Sequence, residues 1–316
     1  MSQAYDTSAW DPDAMPAPAR DDELVLLANE SMRARRRPLA VLALWAWQLA
    51  FALLIAWPVS STVASWYGAH PSGDQPLWTP GAHALVDLLD AARQGSIGGL
   101  ATLTMLVFLI AGFADLVPLA TLIASMAYVT RERTAPRLRP VIARGAAVFP
   151  TFASLFAIAS LVEGLLVGIA VAASAILSHR ASSHLGEARA NQLGWLVGLV
   201  ILGLACVVGV LHDLARAASV RFRVRTIRAC RCAMNAFLRN PVYVMWSWAW
   251  RASAGWAPVA IGGLVAAKVG GHGGVALFAL AVVHQLVALS RVAFRASWLA
   301  TALRAVDHAH RVIRSR

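Results

Sequence analysis

The sequence predicts an all-α fold: a polytopic membrane bundle of six transmembrane helices, arranged as three helical-hairpin repeats with amphipathic helices on the cytoplasmic surface. Three observations carry that expectation: six apolar runs, arginine-loaded connections on one side of them, and connections on the other side almost without positive charge. The runs lie at 38–58, 98–118, 150–177, 193–212, 242–266 and 275–296. Each has about the twenty residues that a helix needs to cross roughly 30 Å of hydrocarbon. Hydrocarbon offers no hydrogen bonds, so the backbone must satisfy itself, and a helix does so within one segment. The N-terminal tail carries five arginines, the second connection five, the fourth seven and the C-terminal end six, together 23 of the 28 Lys and Arg residues. The opposite side has only Arg93, Arg180, Arg189 and Lys268, and Arg251 falls inside a run. The positive-inside rule then places both termini in the cytoplasm.

Composition supports the same class. With 59% hydrophobic residues, a net charge of +12 and a mean hydropathy of +0.61, the chain is too apolar for a soluble domain and too regular for disorder. Its basic residues are dealt out to short connections beside the apolar runs, so anionic headgroups and topology explain them better than nucleic acid does. The first 23 residues, with Asp6, Asp11, Asp13, Asp21, Asp22 and Glu23, read as a disordered acidic cytoplasmic tail, and 24–316 as the membrane domain. Arg33 to Arg37 ahead of the first run resemble a signal peptide's charged region, but some thirty residues precede them, so a retained signal anchor is expected. One lysine against 27 arginines fits a GC-rich bacterial genome, and the expected location is the bacterial cytoplasmic membrane.

Taken in order, three outward runs open at Pro38, Pro150 and Pro241, and proline suits the first turn of a helix. Trp45-Ala-Trp47 follows Pro38 at the same offset as Trp248-Ala-Trp250 follows Pro241, which points to a repeat. Asp115-Leu116 and Asp213-Leu214 close two inward runs in matching places, with Asp115 expected at the interface. After Asp213, apolar Leu214, Ala217, Val220, Val224, Ile227, Met234 and Phe237 recur at helical spacing. The expectation is a basic helix lying on the membrane, with Arg221, Arg223, Arg225 and Arg228 touching anionic lipid, set against a solvated loop that only enforces topology. The C-terminal tail is expected to repeat that helix alone. Cys230 and Cys232 have neither zinc nor redox spacing, so inert thiols are favoured over acylation sites.

His212-Asp-Leu-Ala-Arg216, the arginine-studded stretch after it and Arg239-Asn-Pro241 resemble a group of bacterial multi-pass proteins, and the membrane domains attached to some glycerophosphodiester phosphodiesterases. The resemblance covers 24–316 in architecture, implies the same six-span plan and brings no catalytic residues. No phosphodiesterase domain is present.

Polar groups inside hydrocarbon are costly and are the first functional suspects. Gln48 and Arg251 each stand ten residues after their proline, Glu163 thirteen after Pro150, and His284 about nine into the last run. Counted from those starts, all four fall near the midplane, where a Glu163–Arg251 ion pair would register the helices or form the heart of a polar pathway. Gly164-Leu-Leu-Val-Gly168 and Gly194-Trp-Leu-Val-Gly198 suggest close packing of the third and fourth runs. In the first outer connection, residues 79–92 suggest an interfacial helix. Its His83, Asp87 and Asp90, with His70 and Asp74, read as surface polarity ahead of a metal site.

No hydrolase, metalloprotease, phosphate-loop or dinucleotide signature occurs. No enzyme activity, cofactor or metal is expected. The expected function is a membrane accessory or scaffold that binds lipids or protein partners, itself a possible homo-oligomer. The alternative is a permease or lipid-handling transporter lined by Gln48, Glu163, Arg251 and His284.

Overall fold

The computed structural model describes residues 32–67, 98–127, 138–269 and 274–314. A 3-10 turn at Ala34–Arg36 precedes α1 (Pro38–Tyr67), α2 (Gly98–Ala127), α3 (Leu138–Ala147), α4 (Phe149–Leu185), α5 (Glu187–Phe222), α6 (Thr226–Arg239), α7 (Pro241–Val269) and α8 (Gly274–Arg314). No strand occurs among the described residues. Pro38 and Pro241 are the first residues of their helices and Pro150 the second of its own, where a missing N–H loses no bond. Four stretches, Leu109–Ala127, Phe149–Leu177, Gln192–Phe222 and Gly274–Arg311, are long and apolar enough to cross a membrane, and Pro38–Leu54 is a shorter apolar one. The fold is all-helical and membrane-embedded. The acidic tail and the 68–97 connection, including the interfacial helix and the His83 group, lie outside the described residues.

The long helices pair in chain order, α1 on α2, α4 on α5 and α7 on α8. Cross-contacts fix the antiparallel sense: Arg37 donates to the Ser125 carbonyl while Gln48 reaches Asp115, and Ser174 on α4 donates to the Gly194 carbonyl on α5. The buried core sits at one end of these pairs, the arginine-rich end. There the last turns of α2 (Leu116, Leu119, Ile123), α5 (Val210, Leu214, Val220) and α8 (Leu299, Leu303, Val306) converge. Alanines 120, 124, 217, 218, 300 and 302 are buried among them, and small side chains let helix axes approach closely. Toward the other end the helices expose large apolar side chains, among them Leu53, Trp57, Leu165, Trp195, Leu264 and Phe278, on surface suited to lipid tails.

Two expectations about the arginine-rich segments are corrected. The stretch after Asp213 is not one surface helix. Leu214 to Val220 belong to the buried end of α5, which stops where Arg223 adopts a left-handed backbone (φ 52°), and α6 starts afresh at Thr226. α6 buries Ala229, Ala233 and Ala236, packs Phe237 against the core and leaves Ile227, Met234 and Leu238 exposed. The C-terminal tail is likewise no separate helix. It continues the last apolar run as one 41-residue helix whose end lies in the core, because Trp298, Leu299, Leu303 and Val306 supply a helical stripe for it.

The glycine expectation is corrected in part. Gly164 and Gly168 meet nothing within 4 Å, so they do not bring α4 against α5; the close contact there is Ser174 with buried Gly194. A tighter approach joins α3 to α2, where a Cβ on Gly145 would stand 2.6 Å from Thr121 Oγ1 and 2.9 Å from its backbone nitrogen. A backbone atom cannot swing aside. Gly145→Ala should therefore lower thermal stability by about 1–3 kcal/mol through overpacking. Gly164→Ala, with open space around it, should be neutral or slightly stabilising. Thermal unfolding of both variants in the same detergent checks the pair.

Candidate functional site

A polar layer lies directly above the buried core, built from the same level of five helices. On α2, Asp115 accepts from Gln48 Nε2 of α1 through both carboxylate oxygens at 3.2 Å. On α5, Asp213 accepts from Trp298 Nε1 at 2.9 Å and from Arg216 at 3.4 Å, with Arg295 of α8 at 3.9 Å. Arg216 is buried, with its guanidinium 5.8 Å from the centre of the Phe152 ring of α4. On α7, Arg251 donates to the Ser247 carbonyl at 2.6 Å, to Ser247 Oγ at 2.9 Å and to Ser297 Oγ at 3.1 Å. The layer holds two carboxylates and three guanidinium groups.

Between α1, α5, α7 and α8 this layer opens into a cleft of about 460 Å³. Its charged lining is Arg251, Arg291, Arg295 and Asp213, its aromatic lining Trp248, Trp256, Phe294 and Trp298, and Gln48 lies at its α1 wall. Arg291 stacks its guanidinium 4.6 Å from the centre of the Trp256 ring. Such stacking holds the flat cation in place while its N–H edges stay able to donate.

Of the four residues expected at the midplane, the structure brings Gln48 and Arg251 to this cleft and leaves Glu163 and His284 elsewhere. No ion pair joins Glu163 to Arg251, whose partners are serines. Glu163 faces α5 near Gly209, and His284 is exposed on α8. Between His284 and Ser297, the partner of Arg251, α8 rises about 20 Å at roughly 1.5 Å per residue. The physical reason is the depth of the core. α1 and α7 begin inside it, with Leu44 and Val244 buried, so ten residues carry Gln48 and Arg251 only to its upper edge. Asp115, expected as an interfacial group, is instead partly buried against Gln48.

The four arginines expected at lipid also separate. Arg221 donates to Asp307 of α8 at 2.9 Å, within the core's edge. Arg223 and Arg225 are exposed and line a second cavity of about 730 Å³ beside the start of α4, and Arg228 is exposed on α6. Burial pushes the Cys232 thiol above its ordinary range, which disfavours the reactive thiolate, while Cys230 is exposed on α6. Among the described residues no group of three or more His, Cys, Asp or Glu side chains is placed to hold a metal ion.

Sequence reading missed Asp213, Arg216, Arg295 and Trp298 as a cluster. A signal was present: Leu119-Ala-Thr121 and Leu299-Ala-Thr301 bring Asp115 and Arg295 into register, and both threonines donate to the carbonyl four residues earlier.

The class that fold and site define is an all-helical, membrane-embedded protein with a cationic, tryptophan-lined cleft at the top of a one-ended core. No protein-family model matches the chain, and no curated protein or solved structure shows significant similarity to it.

Asp213 is the counter-charge that keeps Arg216 tolerable in the core. Asp213→Asn should destabilise by about 3–5 kcal/mol, because it leaves a buried guanidinium without its carboxylate. The double variant Asp213→Asn with Arg216→Met should recover part of that loss, and thermal unfolding of the full double-mutant cycle reads the coupling.

Proposed function

We propose that the protein is a six-span component of the bacterial cytoplasmic membrane, with α1, α2, α4, α5, α7 and α8 as the spans and both termini in the cytoplasm. In this reading it acts without catalysis, as an accessory or scaffold that binds lipids and protein partners at its cytoplasmic end. The observation that carries it is the one-ended core: the arginine-rich end is packed and polar, while the opposite halves of the helices expose apolar side chains. Three hairpin repeats fit this plan. Each outward helix has a proline in its first turn, and Asp115, Asp213 and Arg295 stand at one level of the three inward helices. Likeness to the phosphodiesterase-linked membrane domains belongs to the same proposal.

Two further features support lipid and partner binding over transport. α6 presents Ile227, Met234 and Leu238 beside exposed Arg225 and Arg228, as a helix resting on a headgroup layer would. Glu163 and His284 stand apart from Gln48 and Arg251, so the four do not line one path.

Topology is tested with single cysteines placed in a chain whose Cys206, Cys230 and Cys232 are replaced by alanine. Lys268→Cys should react with an impermeant maleimide on intact cells, and Asn240→Cys only after lysis; the reverse pattern would invert the assignment. Native mass spectrometry of the protein from its own host in mild detergent should show a retained lipid or a stoichiometric second polypeptide. Solute flux in proteoliposomes, abolished by Glu163→Gln at unchanged thermal stability, would replace this reading with the permease.

A further inference from the structure

We propose that the cleft between α1, α5, α7 and α8 is a binding site for the phosphate of an anionic phospholipid from the cytoplasmic leaflet. The inference rests on the membrane reading above and adds to it a defined site and ligand class.

Charge is the first argument. Arg251, Arg291 and Arg295 line the cleft against a single carboxylate, Asp213. That carboxylate is already engaged by Trp298 and Arg216, and Arg295 reaches it only at 3.9 Å with its side chain 48% exposed. Arg251 uses Nε and Nη1 on its serines, and no described residue accepts from its Nη2. Arg291 has a ring face for a neighbour and no carboxylate among the described residues. Three guanidinium groups therefore present N–H donors to the cleft, Arg251 through Nη2 and Arg291 with a planar fork that matches phosphate oxygens.

Position is the second argument, and it favours a lipid over free phosphate. The cleft lies where the buried core ends and exposed apolar surface begins: beyond it Ile261 and Leu264 on α7 and Val282 and Leu286 on α8 are all exposed. Acyl chains attached to a phosphate in the cleft would run along that surface. Trp246, Trp250 and Trp256 are exposed on α7 over about 15 Å of helix beside the cleft, as aromatic side chains are at a membrane–water boundary. The volume, about 460 Å³, is within the range of small-ligand sites.

The test uses the full-length protein in an uncharged detergent, with thermal stability titrated separately against short-chain phosphatidylglycerol, short-chain phosphatidylcholine and inorganic phosphate. Phosphatidylglycerol should reach half-saturation at roughly tenfold lower concentration than phosphatidylcholine, and Arg291→Gln should weaken it by about tenfold without changing unliganded stability, as expected for losing one charge-assisted contact. Should Arg291→Gln prove unstable, Arg295→Gln takes its place with the same expected loss. Equal response to the two lipids, or unchanged phosphatidylglycerol affinity in the variant, would overturn the site. Inorganic phosphate binding as tightly as phosphatidylglycerol would overturn the lipid assignment and leave a site for free phosphate. Cysteine labelling of the topology is independent of all these outcomes, so failure of the site and failure of the membrane reading are told apart.

Discussion

The structure depends on how the C-terminal ends of α2 and α5 are closed inside a packed, arginine-rich core. A helix leaves its last carbonyls without intrahelical donors, and burying them unpaired is costly. Arginines from other elements supply the donors: Arg37 to the Ser125 carbonyl, Arg221 toward that of Ala127, and Arg144 to those of Val220 and Arg221. Each contact also sets a cation at the negative end of a helix dipole. The arginines that make the charge of the sequence one-sided are in part the same ones that hold the helix ends together.

From that constraint follows the uneven packing. The ends of α2, α5 and α8 pack together because each has partners there, and α3 and α6 fill the spaces between them with Val141, Ala229 and Ala233. Packing among small side chains suits a region where two helices meet a third, whereas the outer halves need no partner if lipid covers them. The polar layer occurs where these two regimes meet. Asp115, Asp213 and Arg251 find hydrogen-bond partners on neighbouring helices there, in Gln48, Trp298 and Ser297, which polar groups beside hydrocarbon require.

The cleft is a consequence of the same boundary. α7 and α8 stay close through Gly262 against Val287 and Gly255 against Phe294, while α1 approaches from the other side and leaves Trp248 and Trp298 facing an opening. Arg251 and Arg291 are held by serines and an aromatic ring, which neutralise no charge, and Arg295 stands 3.9 Å from Asp213. A cation held in place by neutral groups keeps its field for a ligand, whereas Arg216 and Arg221 spend theirs on Asp213 and Asp307.

The sequence by itself determined the helical class, the apolar stretches, the prolines that open α1, α4 and α7, and the sidedness of the charge, since each depends on local composition or spacing. Tertiary structure decided which arginines are paired, where α5 stops, and that the tail of α8 is core. Those outcomes depend on contacts between residues far apart in the chain, such as Arg221 with Asp307 and Trp298 with Asp213. Counting from a proline did not show that Gln48 and Arg251 stand at the upper edge of the core, because the count carries no information on where in the core a helix begins. Glu163 and Arg251 could not be seen as separate for the same reason: helical rise is local, but the level and azimuth of two helices are set only by their packing.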